Sequence, residues 1–316
     1  MSARARAQQR LQSVDRRGNR LLFGLCAAAC ALLVITIAEI AYQVISGSDQ
    51  AFSRFGLGFL FHTVWQPNLG HLGAATVIFG TLMTSAIALS ISSVVGIAIG
   101  LYLSLLAPRR VAAIVGPLVE MLAAIPSVIV GFWGYLVLAP FLQKQIEPFL
   151  HSTLGFIPFF GTPQPTGISI FTAGLVLTLM VTPIIASLSR DLFLTVPSEL
   201  KDGAAALGAT RWEMIRGVVL PTTISGVSAA CVLGLGRALG EAIAVAEVIG
   251  DASGIHASVF QPGATLASRV ALQFSGADPL TSSALFYLAA ILFAICVITN
   301  LLAQEIAGRF SAAPAR

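Results

Sequence analysis

Ala75-Thr-Val-Ile-Phe-Gly-Thr-Leu-Met-Thr-Ser-Ala-Ile-Ala-Leu-Ser-Ile-Ser-Ser-Val-Val-Gly-Ile-Ala-Ile-Gly-Leu-Tyr-Leu-Ser-Leu-Leu106 carries no charged side chain over 32 residues. A bilayer core about 30 Å thick is crossed by about 20 such residues in a helix. Lipid offers the amides no partner, so the run has to satisfy them itself as a helix. It is longer than a straight crossing needs, and tilt, a break or a surface-lying end is expected. Five further runs qualify: Leu21–Ile45, Val111–Pro140, Ile168–Ser189, Thr223–Gly250 and Thr281–Glu305. Val111–Pro140 is overlong in the same way. Leu21–Ile45 is too long for a signal-peptide core and lacks a small-residue cleavage site, so it reads as an uncleaved span.

Composition agrees. Of 316 residues, 56% are hydrophobic and 10% charged, against about 25% charged in a soluble domain; the mean hydropathy is +0.88. A soluble enzyme, a disordered chain and a disulfide scaffold are excluded. The only lysines, Lys144 and Lys201, do not follow a glycine, so there is no GxxxxGK[ST] phosphate loop and no ATPase site in the chain. Cys26, Cys30, Cys231 and Cys296 sit in apolar runs and read as buried thiols. His62, His71, His151 and His256 fall in the loops opposite the basic ones, with no spacing that suits a metal. No nucleophile has a base at a usable spacing. The expectation is a non-catalytic protein without cofactor or metal.

Basic residues orient the spans. With the N-terminus cytoplasmic, the inner segments hold Arg4, Arg6, Arg10, Arg16, Arg17, Arg20, Arg109, Arg110, Arg190, Lys201, Arg211, Arg216, Arg309 and Arg316, and the outer ones only Arg54, Lys144 and Arg269. That bias puts both termini in the cytoplasm. It also explains the net charge of +4 without a nucleic-acid partner, although the basic tail has membrane lipid within reach. The expected organisation is a basic cytoplasmic tail over 1–20, a membrane domain over 21–306 and a cytoplasmic tail over 307–316. Gly96 with Gly100, and Gly236 with Gly240, form small-xxx-small pairs where helices can approach closely.

The inner loop 190–222 has helical punctuation. Pro197 starts a helix, with Ser198 and Glu199 in its first turn and an alanine-rich run to Leu207. Gly208 supplies a left-handed stop. Thr210 and Glu213 form a capping box for a second short helix, and Pro221 opens the next span. This helix–glycine–helix hairpin is a knob that another protein's cleft can approach.

Asp202-Gly203-Ala204-Ala-Ala-Leu-Gly208, followed nine residues later by Val218-Val-Leu220-Pro221, resembles the coupling-loop motif E-A-A-x-x-x-G…I-x-L-P of importer permeases from ATP-binding-cassette transporters. Asp202, Gly203 and Val218 depart from the pattern; Gly203 weakens its helix by about 1 kcal/mol relative to alanine. Glu120-Met-Leu-Ala-Ala-Ile-Pro126-Ser127-Val-Ile-Val-Gly131-Phe-Trp133-Gly134 is similar to the third span of phosphate-specific permeases. Similar to the same group are Gly208–Arg216, Leu233-Gly-Leu-Gly-Arg237-Ala-Leu-Gly-Glu241-Ala and Pro262-Gly-Ala-Thr-Leu-Ala-Ser268. The matches extend over about 74–300 and resemble the C-type permease most. The resemblance implies an all-α, six-span, importer-permease (MetI-like) bundle in a bacterial inner membrane. It also implies a heterodimeric A-type permease, two ATPase subunits and an extracytoplasmic phosphate-binding protein. Asp202, Gly203, Ala204, Gly208, Leu220 and Pro221 would contribute to the coupling loop.

Charges inside the spans are the candidate path. Gly234-Leu-Gly236-Arg237-Ala-Leu239-Gly240 is no dinucleotide fingerprint, since Leu239 holds a glycine's place. Arg237 and Glu241 stand four apart on one helical face, with Arg237 about 21 Å into a span counted from Thr223. An intramembrane charge costs at least ~2.5 kcal/mol, so each needs a partner or water. Two readings stand: a structural pair, or a path in which the guanidinium receives an anion's oxygens. Glu120, about 13 Å into a span counted from Val111, either lines the path or packs near the interface. A break at Pro126 would free the carbonyl of residue 122, which Ser127 can satisfy unless it faces the path. Glu39, Glu247 and Glu305 read as snorkelling near span ends. The resulting expectation is import of inorganic phosphate driven by separate ATPases. Molybdate or sulfate would suit Arg237 equally. A proton-driven secondary transporter would be expected to show two matched halves and to lack the hairpin.

Overall fold

The computed structural model describes the backbone of residues 3–311 and the side chains of residues 22–305. The arginines of the expected basic tail, Arg4 to Arg20, and Arg309 and Arg316 lie outside the described side chains. Among the described residues there are helices and two isolated bridges but no strand. Two units separate by their internal contacts, Met1–Gly47 and Ser48–Arg316. The first is the helix α1 (Ala3–Gly47), which runs without a break from the expected tail into the first span. Cys26 and Cys30, expected buried, are exposed on it, while Cys231 and Cys296 are half-buried.

The second unit follows α2 (Asp49–Phe55) with the span α3 (Ala75–Leu106) and the short helix α4 (Arg109–Ala123). The spans α5 (Ser127–Leu154) and α6 (Ile170–Thr195) come next. After α7 (Ser198–Ala206) the chain forms the span α8 (Arg211–Gly240), then α9 (Ile243–Ile249), α10 (Leu266–Gln273) and α11 (Pro279–Ser311). With α1, six described helices are long and apolar enough to cross a membrane.

The bundle is built around α6. Two thirds of its apolar window is buried, against less than a third for every other span. Ala173, Val176, Leu177, Val181 and Ile185 of α6 form the core with Ala238 of α8 and Ala244, Val245 and Val248 of α9. Side-chain size decides which helix comes closest. A Cβ at Gly96 of α3 would lie 2.9 Å from Ile185 Cβ, and one at Gly100 would lie 3.0 Å from the backbone nitrogen of Arg190. The first small-xxx-small pair is therefore the α3–α6 seam.

The overlong third run breaks, and the span is displaced. α4 ends at Ala123; Pro126 has φ −56 and ψ 134, and a new helix begins at Ser127. Proline lacks the N–H that would continue the ladder and pushes its predecessor out of the helical region. The carbonyl of residue 122, expected to turn to Ser127, accepts instead from the Ile125 N–H at 3.4 Å. The span then continues past Pro140 and Pro148 to Leu154, so Lys144 and Glu147 are helical rather than in a loop. Wide π-type turns at Gly134–Leu138, Leu142–Ile146 and Ile215–Val219 precede Pro140, Pro148 and Pro221. Each widens the helix where a proline ring would otherwise meet the carbonyl four residues back. The fifth run also differs from expectation. Its helix starts earlier, at Arg211, passes Pro221 without a stop, and breaks after Gly240.

Residues 248–263 fold back over the start of α6. Ser169, Ile170 and Phe171 donate their amides to the carbonyls of Val248, Gln261 and Val259 at 3.1, 3.1 and 2.9 Å. Ser169 Oγ accepts from the Thr172 N–H at 3.1 Å. Amides that a helix start leaves unpaired are thus satisfied inside the protein.

Candidate functional site

Glu241 interrupts the fifth span. Its φ of −73 and ψ of 121 are extended, and α9 resumes two residues later. The carboxylate takes both partners available to it. Oε2 lies 3.1 Å from Arg237 Nη2, and Oε1 accepts from the Ala244 N–H at 3.4 Å. A short anionic side chain can replace a missing backbone acceptor at a helix start, and it tolerates burial because a guanidinium stands beside it. The pair is asymmetric: the Glu241 side chain is 4% exposed and that of Arg237 is 48% exposed. Among the described residues, nothing lies within 4 Å of where a Cβ would stand at Gly236 or Gly240. The cation thus faces an open side of the bundle while its counter-charge is held behind it.

Ser127 begins α5 directly after the proline break and is half-buried. α5 and α9 run side by side in the same direction. A Cβ at Gly131 would lie 2.7 Å from Ala244 Cα, and one at Gly134 would lie 3.2 Å from Val248 Cγ1. Ser127 is one turn before Gly131, and Glu241 is three residues before Ala244, so the two breaks stand at one level. Glu247, read as a span-end residue, lies on α9 beside Gly131.

Glu120 goes elsewhere. It is on α4, before the span begins, and its Oε1 accepts from Arg190 Nη1 at 3.0 Å. The same guanidinium lies over Gly116, where a Cβ would come within 2.8 Å of Nη1. Arg190 is at the end of α6 that leads into the hairpin. The sequence counted it only as a topological charge, and nothing local to it signals a partner 70 residues away.

The hairpin is built as its punctuation predicts. α7 starts after Pro197, Gly208 has φ +82, and the capping box closes through Thr210 Oγ1 accepting from the Glu213 N–H at 3.3 Å and Glu213 Oε2 accepting from the Thr210 N–H at 2.8 Å. Asp202 and Gly203 are exposed, Ala204 and Leu220 are half-buried, and Pro221 is exposed within the continuous helix α8. Leu207 is 91% exposed and Trp212 63%, an apolar tip that the described residues leave uncovered.

A second ionic group escaped the sequence reading. Arg269 of α10, counted as an outer-loop charge, has a side chain only 3% exposed and lies 3.0 Å from Asp251. Burial pulls its pKa below the ordinary value, and the Asp251 charge opposes that shift.

Comparisons with known proteins agree with this architecture. The family described as "Binding-protein-dependent transport system inner membrane component" matches residues 96–311. Phosphate transport system permease protein PstC of Haemophilus influenzae is 42% identical over 287 residues, covering 90% of this chain and 91% of that protein. PstC 2 of Mycobacterium tuberculosis is 37% identical, covering 93% of each. Among solved structures, a bacterial alginate ABC transporter in complex with an alginate pentasaccharide-bound periplasmic protein superposes with a TM-score of 0.57 at 18% identity, over 90% of this chain and 94% of that one. The MetNI methionine ABC transporter, in inward-facing conformations, gives 0.54 at 19% identity, over 73% and 93%. These two share the fold alone. By the extent of both the family match and the relatives, the chain belongs to the binding-protein-dependent transport system inner membrane components, among the phosphate transport system permease proteins.

Proposed function

We propose that this chain is the C-type permease subunit of a phosphate importer and that Arg237 receives the anion on its way through the membrane. The observation that carries the reading is the asymmetric pair: a half-exposed guanidinium on an open face, backed by a buried carboxylate. The planar fork of arginine matches two phosphate oxygens at once. Glu241 offsets the cation so that the anion is not trapped. Ser127, at the same level, offers a hydroxyl. Glu120 is left out of the path because its carboxylate is engaged by Arg190.

The sequence carries no GxxxxGK[ST] phosphate loop, and the energy comes from separate ATPase subunits. The exposed Leu207 and Trp212 on the hairpin suit docking to one of two ATPase subunits. An A-type permease closes the open side at Gly236 and Gly240, and an extracytoplasmic phosphate-binding protein delivers the anion. The chain spans a bacterial inner membrane with both termini in the cytoplasm.

Two measurements test this. In cells deprived of other phosphate importers, the complex should take up labelled phosphate, with unlabelled phosphate competing fully and a hundredfold excess of sulfate or molybdate competing little. Uptake blocked by sulfate or molybdate at concentrations like those of phosphate would reassign the substrate. For topology, single cysteines in a cysteine-free background at Ser152 and Ser253 should react with an impermeant maleimide in intact cells, and one at Ser198 only after permeabilisation. All three serines are exposed, so reactivity reports the side of the membrane. The opposite labelling pattern would invert the chain and remove the docking argument.

A further inference from the structure

Beyond α9 the chain turns through Gly250, at φ +92, and Asp251, whose φ of +48 is the one left-handed non-glycine backbone among the described residues. Short polar residues enter that region when their side chain is held nearby. Here the hold is tertiary. Asp251 Oδ1 lies 3.0 Å from Arg269 Nε, and Oδ2 accepts from Gln273 Nε2 at 3.1 Å. Gln273 Oε1 accepts from Trp65 Nε1 at 2.7 Å, and the Arg269 guanidinium closes the circuit 5.4 Å over the Trp65 ring. Arg269 Nη2 also donates to the Ala252 carbonyl at 3.4 Å. The loop before α3, the turn after α9 and the helix α10 are joined by these four side chains.

One of those three parts is a fixed post. Thr265 and Ser268 form a capping box at the start of α10, and the Leu266 N–H donates to Thr81 Oγ1 of α3 at 2.9 Å. The Ala264 carbonyl packs so tightly on α3 that a Cβ at Gly80 would come within 2.0 Å of it. The turn at Asp251 is therefore tied to a helix locked on the bundle. α9 between Glu241 and that turn is about 10 Å long, too short to bend. A shift at its Asp251 end is carried to its Glu241 end.

We propose that Asp251 and Arg269 are positioning residues for the Arg237–Glu241 site: by tying the far end of α9 to α10, they hold the Glu241 carboxylate where it meets Arg237. The proposal rests on the reading of that pair as the anion site. Breaking the tie leaves a buried guanidinium without its counter-charge, and α9 moves to bring water or another acceptor to it.

The test uses the full chain in its assembled complex, with spin labels on cysteines at Ala246 of α9 and Phe132 of α5. Asp251→Asn isolates the charge, because asparagine tolerates the left-handed backbone and still accepts from Gln273. Asp251→Asn and Arg269→Gln should each broaden or shift the label-to-label distance and lower maximal phosphate uptake about 10-fold or more, since small misplacements of a binding group have effects of that size. The double variant, which has neither the tie nor an unpaired charge, should stay displaced and impaired; a native distance with normal uptake there would overturn the tie and leave only the cost of an unpaired charge. Trp65→Phe, which keeps the ring and removes only the donor to Gln273, should give a smaller change in the same direction and decides the matter if Arg269→Gln fails to accumulate. Arg237→Gln should stop uptake and leave the distance native. An unchanged distance in Asp251→Asn, whatever its uptake, would overturn the tie. Normal uptake in Arg237→Gln would overturn the anion-site reading, with the distance measurement still judging the tie.

Discussion

Arg237→Gln is expected to reduce phosphate uptake about 100-fold or more, an effect worth ~2.7 kcal/mol at 1.36 kcal/mol per tenfold, with the subunit present at its normal level. Glutamine keeps hydrogen-bonding capacity but offers no charge against a doubly ionised oxyanion in a low-dielectric path. Arg237→Lys should fall about 10-fold, because an ammonium retains the charge and lacks the bidentate fork. The local structure explains why the protein should survive both changes. The Arg237 side chain is 48% exposed, so its removal leaves no cavity; Glu241 keeps the Ala244 N–H as a partner, and water entering from the open side replaces the guanidinium as the carboxylate's counterpart. Exchanging the two residues is a poor control, since an arginine at 241 would be buried and could not accept from that amide. Glu241→Gln is the informative companion. Its amide oxygen still satisfies Ala244 while the counter-charge is gone, so uptake should change through its dependence on phosphate concentration and not through loss of protein. Uptake is measured in whole cells alongside membrane levels. A stable Arg237→Gln with near-normal uptake, or losses that follow the amount of protein, would make the pair structural.

Gly208→Val should uncouple transport. At φ +82 the residue occupies the left-handed region, which costs a side-chain-bearing residue about 1–2 kcal/mol and a β-branched one more. Among the described residues, none beyond its chain neighbours comes within 4 Å of where its Cβ would stand, so the effect is one of backbone conformation. The Gly208 and Ala209 amides close the turn onto Ala205 and Ala204 at 2.9 and 3.1 Å. Losing that turn swings α7 away from the start of α8. The expected result is a chain that inserts normally, uptake down about 10-fold or more, and ATP hydrolysis in the complex no longer stimulated by a phosphate-loaded binding protein. Two controls separate the cause. Gly208→Asn should be mild, because asparagine visits this region readily. Gly203→Ala, equally open but within α7, should leave uptake intact and firm the helix by about 1 kcal/mol. Full coupling in Gly208→Val would refute the role of the turn.

Local chemistry was legible in the sequence. An uncharged run of 32 residues has one low-energy state in lipid, so the helical spans follow from composition. The hairpin also follows, because Pro197, Gly208 and the Thr210–Glu213 box act within one or two turns of themselves. The Arg237–Glu241 pair is four residues long and needed no tertiary information. Span boundaries were another matter. A proline can stop a helix, as Pro126 does, or be absorbed by a wide turn, as Pro140, Pro148 and Pro221 are. The choice depends on what packs beside it, and no residue next to it in sequence records that. At the break after Gly240 one carboxylate serves both a guanidinium and an amide. The same holds for partners far apart in the chain. Glu120 meets Arg190, and Asp251 meets Arg269, Gln273 and Trp65, because α6 and α10 are held against α3 by close glycine contacts. Burial then decides what such a charge must do: the sequence could count Arg269 but not hide it from water, and only a buried cation is compelled to keep its partner.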